Sequence, residues 1–138
     1  MRRVLIIDGQ GGLLGKQMVA ACKKLIPEAE ITAVGTNTMA TSAMLKAGAT
    51  NGATGENAVI VGARRADIIV GPVGIVIADS LLGEITPAMA VAIGQANAAR
   101  ILIPMNKCEN MVAGVSSLST TELILDAVAK VEQYIDKH

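Results

Sequence analysis

Four glycines stand close together near the start of the chain, flanked by an aspartate and a lysine. They belong to the segment Asp8-Gly9-Gln10-Gly11-Gly12-Leu13-Leu14-Gly15-Lys16. A short apolar run precedes this segment and an amphipathic stretch follows it, which is the strand-loop-helix context of phosphate-binding glycine loops. The first amide hydrogens of a helix have no partner within the helix, and the helix dipole adds partial positive charge there. The segment therefore predicts a site that holds a phosphate group.

A simpler interpretation of the same glycines is structural. Glycines also build tight turns and let a helix pack closely on a strand, with no ligand involved. The strand and helix on either side of the segment favour phosphate binding over this alternative. Lys16 would lie in the first turn of the helix, where a cation opposes the helix dipole, so an anionic partner would explain its presence. An ordinary surface lysine is the alternative interpretation.

The spacing Gly9-x-x-Gly12-x-x-Gly15 resembles the glycine loop of the extended short-chain dehydrogenases, within the broader Rossmann dinucleotide-binding family. The resemblance covers roughly the first forty residues. Those dehydrogenases also need a Tyr-x-x-x-Lys pair, and Tyr134, the only tyrosine, has a histidine four positions later. The resemblance therefore implies a ligand-binding loop and argues against reductase activity.

Two other glycine patterns fit less well. Gln10 stands where Gly-x-Gly-x-x-Gly would need its first glycine. The same residue replaces the leading glycine of a Walker A loop, and Gln17 follows Lys16 where that loop needs Ser or Thr to bind magnesium. A magnesium-dependent nucleotide hydrolase is therefore not expected.

A dinucleotide site makes a second demand, because a carboxylate after the second strand usually binds the ribose hydroxyls. This sequence has Gly35-Thr36-Asn37 at that point, without an acid for NAD and without an arginine for the 2′-phosphate of NADP. Thr36 and Asn37 can still donate hydrogen bonds. The cofactor is thus left open, with NADP or another nucleotide as candidates.

Polar residues and glycines also follow the other expected strands. Parallel strands end at the same edge of a sheet, so these residues should gather there. The predicted binding set is Asp8, Gly9, Gln10, Gly11, Gly12, Gly15, Lys16, Thr36, Asn37, Thr54, Gly55 and Asn57. Asp79 and Glu84 are the candidate proton carriers. Desolvation at this edge would raise the carboxyl pKa of Asp8 or Asp79, and capping of a loop amide is the alternative role for both.

Alternating short apolar runs and amphipathic stretches predict the elements that position this edge. The strands are expected at residues 3–8, 30–35, 49–53, 67–72 and 100–104. The helices are expected at residues 12–25, 39–47, 55–66, 87–98 and from 120 onward, with Thr54, Thr86 and the Ser119–Glu122 capping box at helix starts. The fold class is α/β, a three-layer, doubly wound, mainly parallel sheet of about five strands in a single Rossmann-like domain.

Composition excludes several classes of function. The 138 residues carry no net charge and only 1% aromatic residues, which argues against a nucleic-acid partner. One histidine and two distant cysteines, Cys22 and Cys108, predict neither a metal site nor a disulfide. The sequence offers no membrane span and no signal peptide, so a cytoplasmic protein is expected. Its surplus of apolar residues predicts a homo-oligomer built on dimers.

Over nearly its full length the chain resembles a family of small bacterial proteins catalogued as a domain of unknown function. The resemblance lies in Ile7-Asp-Gly-Gln-Gly-Gly12, Ala40-Thr-Ser-Ala-Met-Leu-Lys-Ala-Gly48, Gly52-Ala-Thr-Gly-Glu-Asn57, Ala63-Arg-Arg-Ala-Asp67 and Ile75-Val-Ile-Ala-Asp-Ser-Leu-Leu-Gly-Glu-Ile-Thr-Pro87. It implies a stand-alone bacterial protein and no particular activity.

Three hypotheses about function follow. The first is a protein that binds a nucleotide or another phosphorylated small molecule at residues 9–16. The second is a non-redox enzyme acting on a small phosphorylated metabolite, with Asp79 or Glu84 carrying the proton. The third is a structural or regulatory subunit of a homo-oligomer that binds no ligand.

Overall fold

Strands and helices alternate along the chain, as the hydrophobic pattern predicts. The computed structural model describes residues 1–105, 110–115 and 117–138. The strands are β1 (Arg3–Asp8), β2 (Glu30–Gly35), β3 (Asn51–Thr54), β4 (Ile68–Pro72) and β5 (Ala99–Ile103). The helices are α1 (Leu13–Leu25), α2 (Thr38–Lys46), α3 (Glu56–Arg65), α4 (Pro87–Gln95) and α5 (Thr120–Lys137), and a single 3-10 turn spans Val73–Val76.

Within these residues the five strands form one parallel sheet in the order β3-β2-β1-β4-β5. The chain winds outward from β1 to β3 and then crosses back to place β4 on the other side of β1. Asp8 pairs with Gly35, and Gly35 pairs with Thr54, so the loops after the first three strands leave the sheet at the same edge. The loops after β1 and β4 depart in opposite directions there, which is where such sheets form a crevice.

Helices cover both faces of the sheet, which confirms the three-layer, doubly wound α/β fold. One core lies between the sheet and α1, α2 and α5, and includes Met18, Met44 and Val128. The other lies between the sheet and α3 and α4, and includes Val59 and Ile93. Aliphatic side chains and methionines fill both cores, in keeping with the scarcity of aromatic residues.

Capping residues set most helix starts. The side chain of Thr86 accepts a hydrogen bond from the Met89 amide, and Ser119 and Glu122 form the expected capping box. The prediction that Thr54 caps α3 is wrong, because the N-cap is Gly55. The Thr54 hydroxyl lies 2.7 Å from the Thr41 hydroxyl instead.

Two boundaries differ by two or more residues from the sequence prediction. Strand β3 begins at Asn51 rather than residue 49 because the chain is still leaving α2 through Gly48, whose φ is 116°. Helix α4 ends at Gln95 rather than residue 98, because Ala96 is already extended and β5 begins at Ala99. Of the helices described, none is long and apolar enough to cross a membrane.

Candidate functional site

A buried carboxylate closes the base of the loop between β1 and α1. Asp8 is 3% exposed and accepts hydrogen bonds from the amides of Gly9 at 2.8 Å and Gly15 at 2.7 Å. Burial raises the pKa of Asp8, and the charge of Glu84 raises it further, although the two amide hydrogen bonds act in the opposite direction. The side chain of Asp8 therefore shapes the loop from inside the protein.

Two of the loop glycines allow close packing. Gly12 precedes α1 with φ of 75°, and a Cβ there would lie 2.7 Å from Cα of Ala40 in α2. A Cβ on Gly15 would lie 2.5 Å from the sulfur of Met44 and 2.8 Å from Cβ of Asp8. These contacts are what the structural interpretation of the glycines predicts. They account for Gly12 and Gly15 without a ligand.

The other two loop glycines have different surroundings. A Cβ on Gly9 would lie 2.5 Å from Oε1 of Glu84 and 2.6 Å from Oγ1 of Thr36. For Gly11, by contrast, no described atom lies within 4 Å of a built Cβ. Gly9 thus lets the Glu84 side chain approach the backbone, and Gly11 faces open space.

Several loop amides already have partners within the chain. The Gly12 amide donates to the carbonyl of Gly9 at 2.9 Å, and those of Gln10 and Gly15 donate to carboxylates. Among the described residues, the amides of Gly11, Leu13 and Leu14 have no acceptor. These three lie at the N-terminus of α1, so the unpaired donors are fewer than the sequence suggested. They lie within four consecutive residues, and amides at a helix start can bind an anion.

Glu84 reaches the loop from the segment between β4 and α4. Its Oε1 accepts hydrogen bonds from the Gln10 amide at 2.6 Å and the Thr36 hydroxyl at 2.8 Å. Its Oε2 accepts one from Nδ2 of Asn37 at 3.0 Å, and that amide nitrogen also lies 2.9 Å from the carbonyl oxygen of Gln10. One carboxylate thus joins the loops that follow β1, β2 and β4.

These hydrogen bonds keep the Glu84 carboxylate charged. Partial desolvation acts to raise the pKa of Glu84, but the hydrogen bonds from Gln10, Thr36 and Asn37 together outweigh it, and the pKa is lowered. A carboxyl group with a lowered pKa is a poor proton donor near neutral pH. Glu84 is therefore better suited to accept hydrogen bonds as a fixed negative charge than to carry a proton.

The segment that presents Glu84 has an unusual backbone. Asp79, Leu81 and Leu82 have φ of 66°, 55° and 56°, in the left-handed region that residues with side chains rarely adopt. Leu81 and Ile85 are buried, and the amide of Asp79 donates to the carbonyl of Ile85 at 2.7 Å, so the segment is anchored at both ends. Positive φ at such residues clusters at functional sites.

The structure brings only part of the predicted set together. The loop of residues 9–16 lies beside Thr36 and Asn37, which are joined to it through Glu84. Thr54 ends the edge strand β3, Gly55 caps α3 and Asn57 lies in its first turn, one loop further from β1. None of their described hydrogen bonds reaches the glycine loop. Asp79 is exposed on the segment before α4.

Lys16 lies on the side of the loop that faces α2. It lines an open groove of about 660 Å³ together with Thr38, Met39, Ser42, Ala43 and Lys46. A second groove, of about 510 Å³, runs along the sheet face beside α3 and is lined by Val34, Ala53 and Arg65, among others. None of the predicted site residues lines this second groove.

In the described part of the chain, no three His, Cys, Asp or Glu side chains lie close enough to hold a metal ion. Cys22 is a buried free thiol, and burial raises its pKa to about 12. Cys108 lies outside the described residues.

Comparison with known proteins identifies a family and a distant structural likeness. The sequence profile of the family described as "Domain of unknown function (DUF3842)" matches residues 3–136, which include every strand of the sheet. No curated protein matches the sequence. Among solved structures, the chain is similar to a dodecameric FMN-dependent Ubix-like decarboxylase from Escherichia coli O157:H7, at 15% identity and a TM-score of 0.48, over 99% of this chain and 94% of that one.

Proposed function

The chain belongs to the family described as a domain of unknown function (DUF3842), and from its site we propose that it binds a nucleotide or another phosphorylated small molecule at residues 9–16. One observation carries the proposal: the amides of Gly11, Leu13 and Leu14 lie within four consecutive residues at the start of α1 and have no acceptor among the described residues. A phosphate oxygen satisfies such donors and is stabilised by the helix dipole.

The surroundings of these amides suit an anion attached to a larger, partly apolar group. Lys16 is exposed in the first turn of α1 and adds a positive charge. Leu13, Met39 and Leu82 expose 65%, 69% and 94% of their surface at this same edge of the sheet. Exposed apolar side chains beside an anion site can contact the flat face of a nucleotide base, while the amides bind its phosphate.

The Glu84 carboxylate is an anion that already binds the backbone of the loop. It already accepts the Gln10 amide at 2.6 Å, so one negative group of the chain itself is stable against this backbone. The carboxylate takes Gln10 and leaves Gly11, Leu13 and Leu14 unpaired, so a phosphate has separate donors. We expect the phosphate to lie on the α1 side of the loop and Glu84 to remain on the β2 side.

A thermal-shift screen with AMP, ATP, NAD, NADP, FAD and pyrophosphate tests the proposal. A ligand at one hundred times its Kd stabilises the folded state by about 2.7 kcal/mol, which should raise Tm by several degrees. At least one of these compounds should do so. If none of the six changes Tm at millimolar concentration, the proposal is wrong.

A pair of variants at Gly11 locates the site. Gly11 has no positive φ and no described atom within 4 Å of a built Cβ, so both Gly11→Asp and Gly11→Asn should fold. Asp adds a negative charge beside the proposed phosphate and should weaken binding by about tenfold or more relative to Asn, which has nearly the same shape. Equal affinities for the two variants would place the ligand elsewhere.

A further inference from the structure

Glu84 supplies, from a distant part of the chain, the carboxylate that the end of β2 lacks. Resting on the proposed function, we infer that Glu84 makes this site selective for a nucleotide whose ribose hydroxyls are free, and that it excludes a nucleotide carrying a 2′-phosphate. The ligand class is thereby narrowed from phosphorylated molecules in general to ribonucleotides of the AMP or NAD type.

The position of the carboxylate supports this assignment. In parallel sheets that bind a nucleotide phosphate after β1, the ribose lies beside the end of β2, where an acid usually accepts its hydroxyl hydrogens. Here β2 ends in Gly35, followed by Thr36 and Asn37. The Glu84 carboxylate binds Thr36 at 2.8 Å and Asn37 at 3.0 Å, so it lies at that position although it comes from the segment before α4.

The carboxylate also has capacity left for a ligand. An ionised carboxylate offers about four acceptor positions. Gln10 and Thr36 occupy two on Oε1, and Asn37 occupies one on Oε2. The three protein donors hold the group in one orientation, and a ribose hydroxyl can donate to the remaining position on Oε2. Such a hydrogen bond to a charged group is among the stronger ones.

The same charge acts against a 2′-phosphate. A phosphate on the 2′ oxygen would lie against an ionised carboxylate that, within the described residues, has no ion pair with any lysine or arginine. Lys16 and Lys46 line the groove between α1 and α2, and neither contacts Glu84 through a described hydrogen bond. Repulsion between two close negative groups disfavours a charged competitor.

A rival account treats Glu84 as a plug that an incoming phosphate displaces from the Gln10 amide. The two accounts predict opposite effects of Glu84→Gln on the affinity for AMP. If Glu84 binds ribose, Glu84→Gln weakens AMP binding and relieves the repulsion of a 2′-phosphate. If Glu84 is a plug, neutralising it strengthens the binding of every phosphorylated ligand.

The test measures Kd by calorimetry for AMP and for adenosine 2′,5′-bisphosphate, with the wild-type chain, Glu84→Gln and Glu122→Gln. The wild-type chain should bind AMP at least about tenfold more tightly than the bisphosphate. Glu84→Gln should abolish or invert this ratio by weakening AMP and strengthening the bisphosphate. Glu122→Gln is the matched control, because Glu122 caps α5 and glutamine serves equally in a capping box.

A second measurement needs no variant and so does not depend on the folding of Glu84→Gln. The wild-type chain should bind 2′-deoxy-AMP about tenfold more weakly than AMP, since the deoxy compound lacks the hydroxyl that donates to Glu84. Equal binding of AMP and 2′-deoxy-AMP overturns the inference. So does an unchanged ratio in Glu84→Gln, or an equal strengthening of both ligands.

Pyrophosphate separates failure of this inference from failure of the proposed function. If the wild-type chain binds pyrophosphate but does not distinguish AMP from the 2′,5′-bisphosphate, the loop holds phosphate and the role of Glu84 is wrong. If it binds none of these compounds, the proposed function itself is wrong and the inference falls with it.

Discussion

Replacement of Gly12 by alanine tests the close approach of α1 and α2 that shapes the loop. Gly12 has φ of 75°, where an L-residue costs roughly 1–2 kcal/mol relative to its usual conformation. A Cβ there would also lie 2.7 Å from Cα of Ala40, which is backbone and cannot rotate away. Forcing an extra methyl group into such packing costs about 1–3 kcal/mol. We therefore expect Gly12→Ala to lower the free energy of unfolding by about 2–5 kcal/mol.

Urea unfolding of two control variants separates the two contributions. Gly83 has φ of 88° but no described atom within 4 Å of a built Cβ, so Gly83→Ala should show the conformational cost alone. Gly11 has neither a positive φ nor a close described neighbour, so Gly11→Ala should be nearly neutral. If Gly12→Ala costs no more than Gly83→Ala, the contact between Gly12 and Ala40 is not as described and the reasoning fails.

Three further predictions concern charge, thiol reactivity and assembly. The pKa of Glu84 is lowered in the folded state, so its ionisation stabilises the protein above pH 4.5, and this stabilisation is lost as the pH falls through the folded pKa. The difference in unfolding free energy between wild type and Glu84→Gln, measured by urea unfolding, should therefore shrink between pH 7 and this acid range. A constant difference would contradict the assignment. Cys22 is buried and its pKa is raised to about 12, so its thiol should be unreactive in the folded chain. In a Cys108→Ser background, a thiol reagent at pH 8 should therefore react only at the rate of unfolding. Immediate reaction would show that the Cys22 thiol is accessible. Met111 and Leu82 expose more than nine-tenths of their surface, and such exposed apolar side chains favour self-association. We expect light scattering to find dimers or larger assemblies at micromolar concentration. A monomer at every concentration would refute self-association.

The sequence was sufficient for the elements whose signals are local. The apolar runs gave β1 and β2 with the observed bounds, Arg3–Asp8 and Glu30–Gly35. The cap residue Thr86 and the Ser119–Glu122 capping box gave the starts of α4 and α5, because such caps act within three residues of the helix start. The parallel order of these elements then required a helix layer on each face.

The composition of the site depended on contacts that no local pattern encodes. Glu84 lies 74 residues from Gln10 in the chain, and no periodicity connects them. The backbone that brings it there relies on positive φ at Leu81 and Leu82, and leucine gives no signal for that conformation. The sequence lacks an acid after β2 and contains Glu84 before α4, but no local pattern in it predicts that Glu84 binds Thr36 and Asn37.

Amide chemical shifts of the full chain, measured while pyrophosphate or AMP is added, test the central claim most directly. The claim is that the unpaired amides at the start of α1 bind phosphate. The account predicts large, saturable shifts for Gly11, Leu13 and Leu14, with a smaller response at Gly15, whose amide is already bonded to Asp8 at 2.7 Å. Saturable binding that leaves those three amides unchanged, or no binding at all, would contradict it.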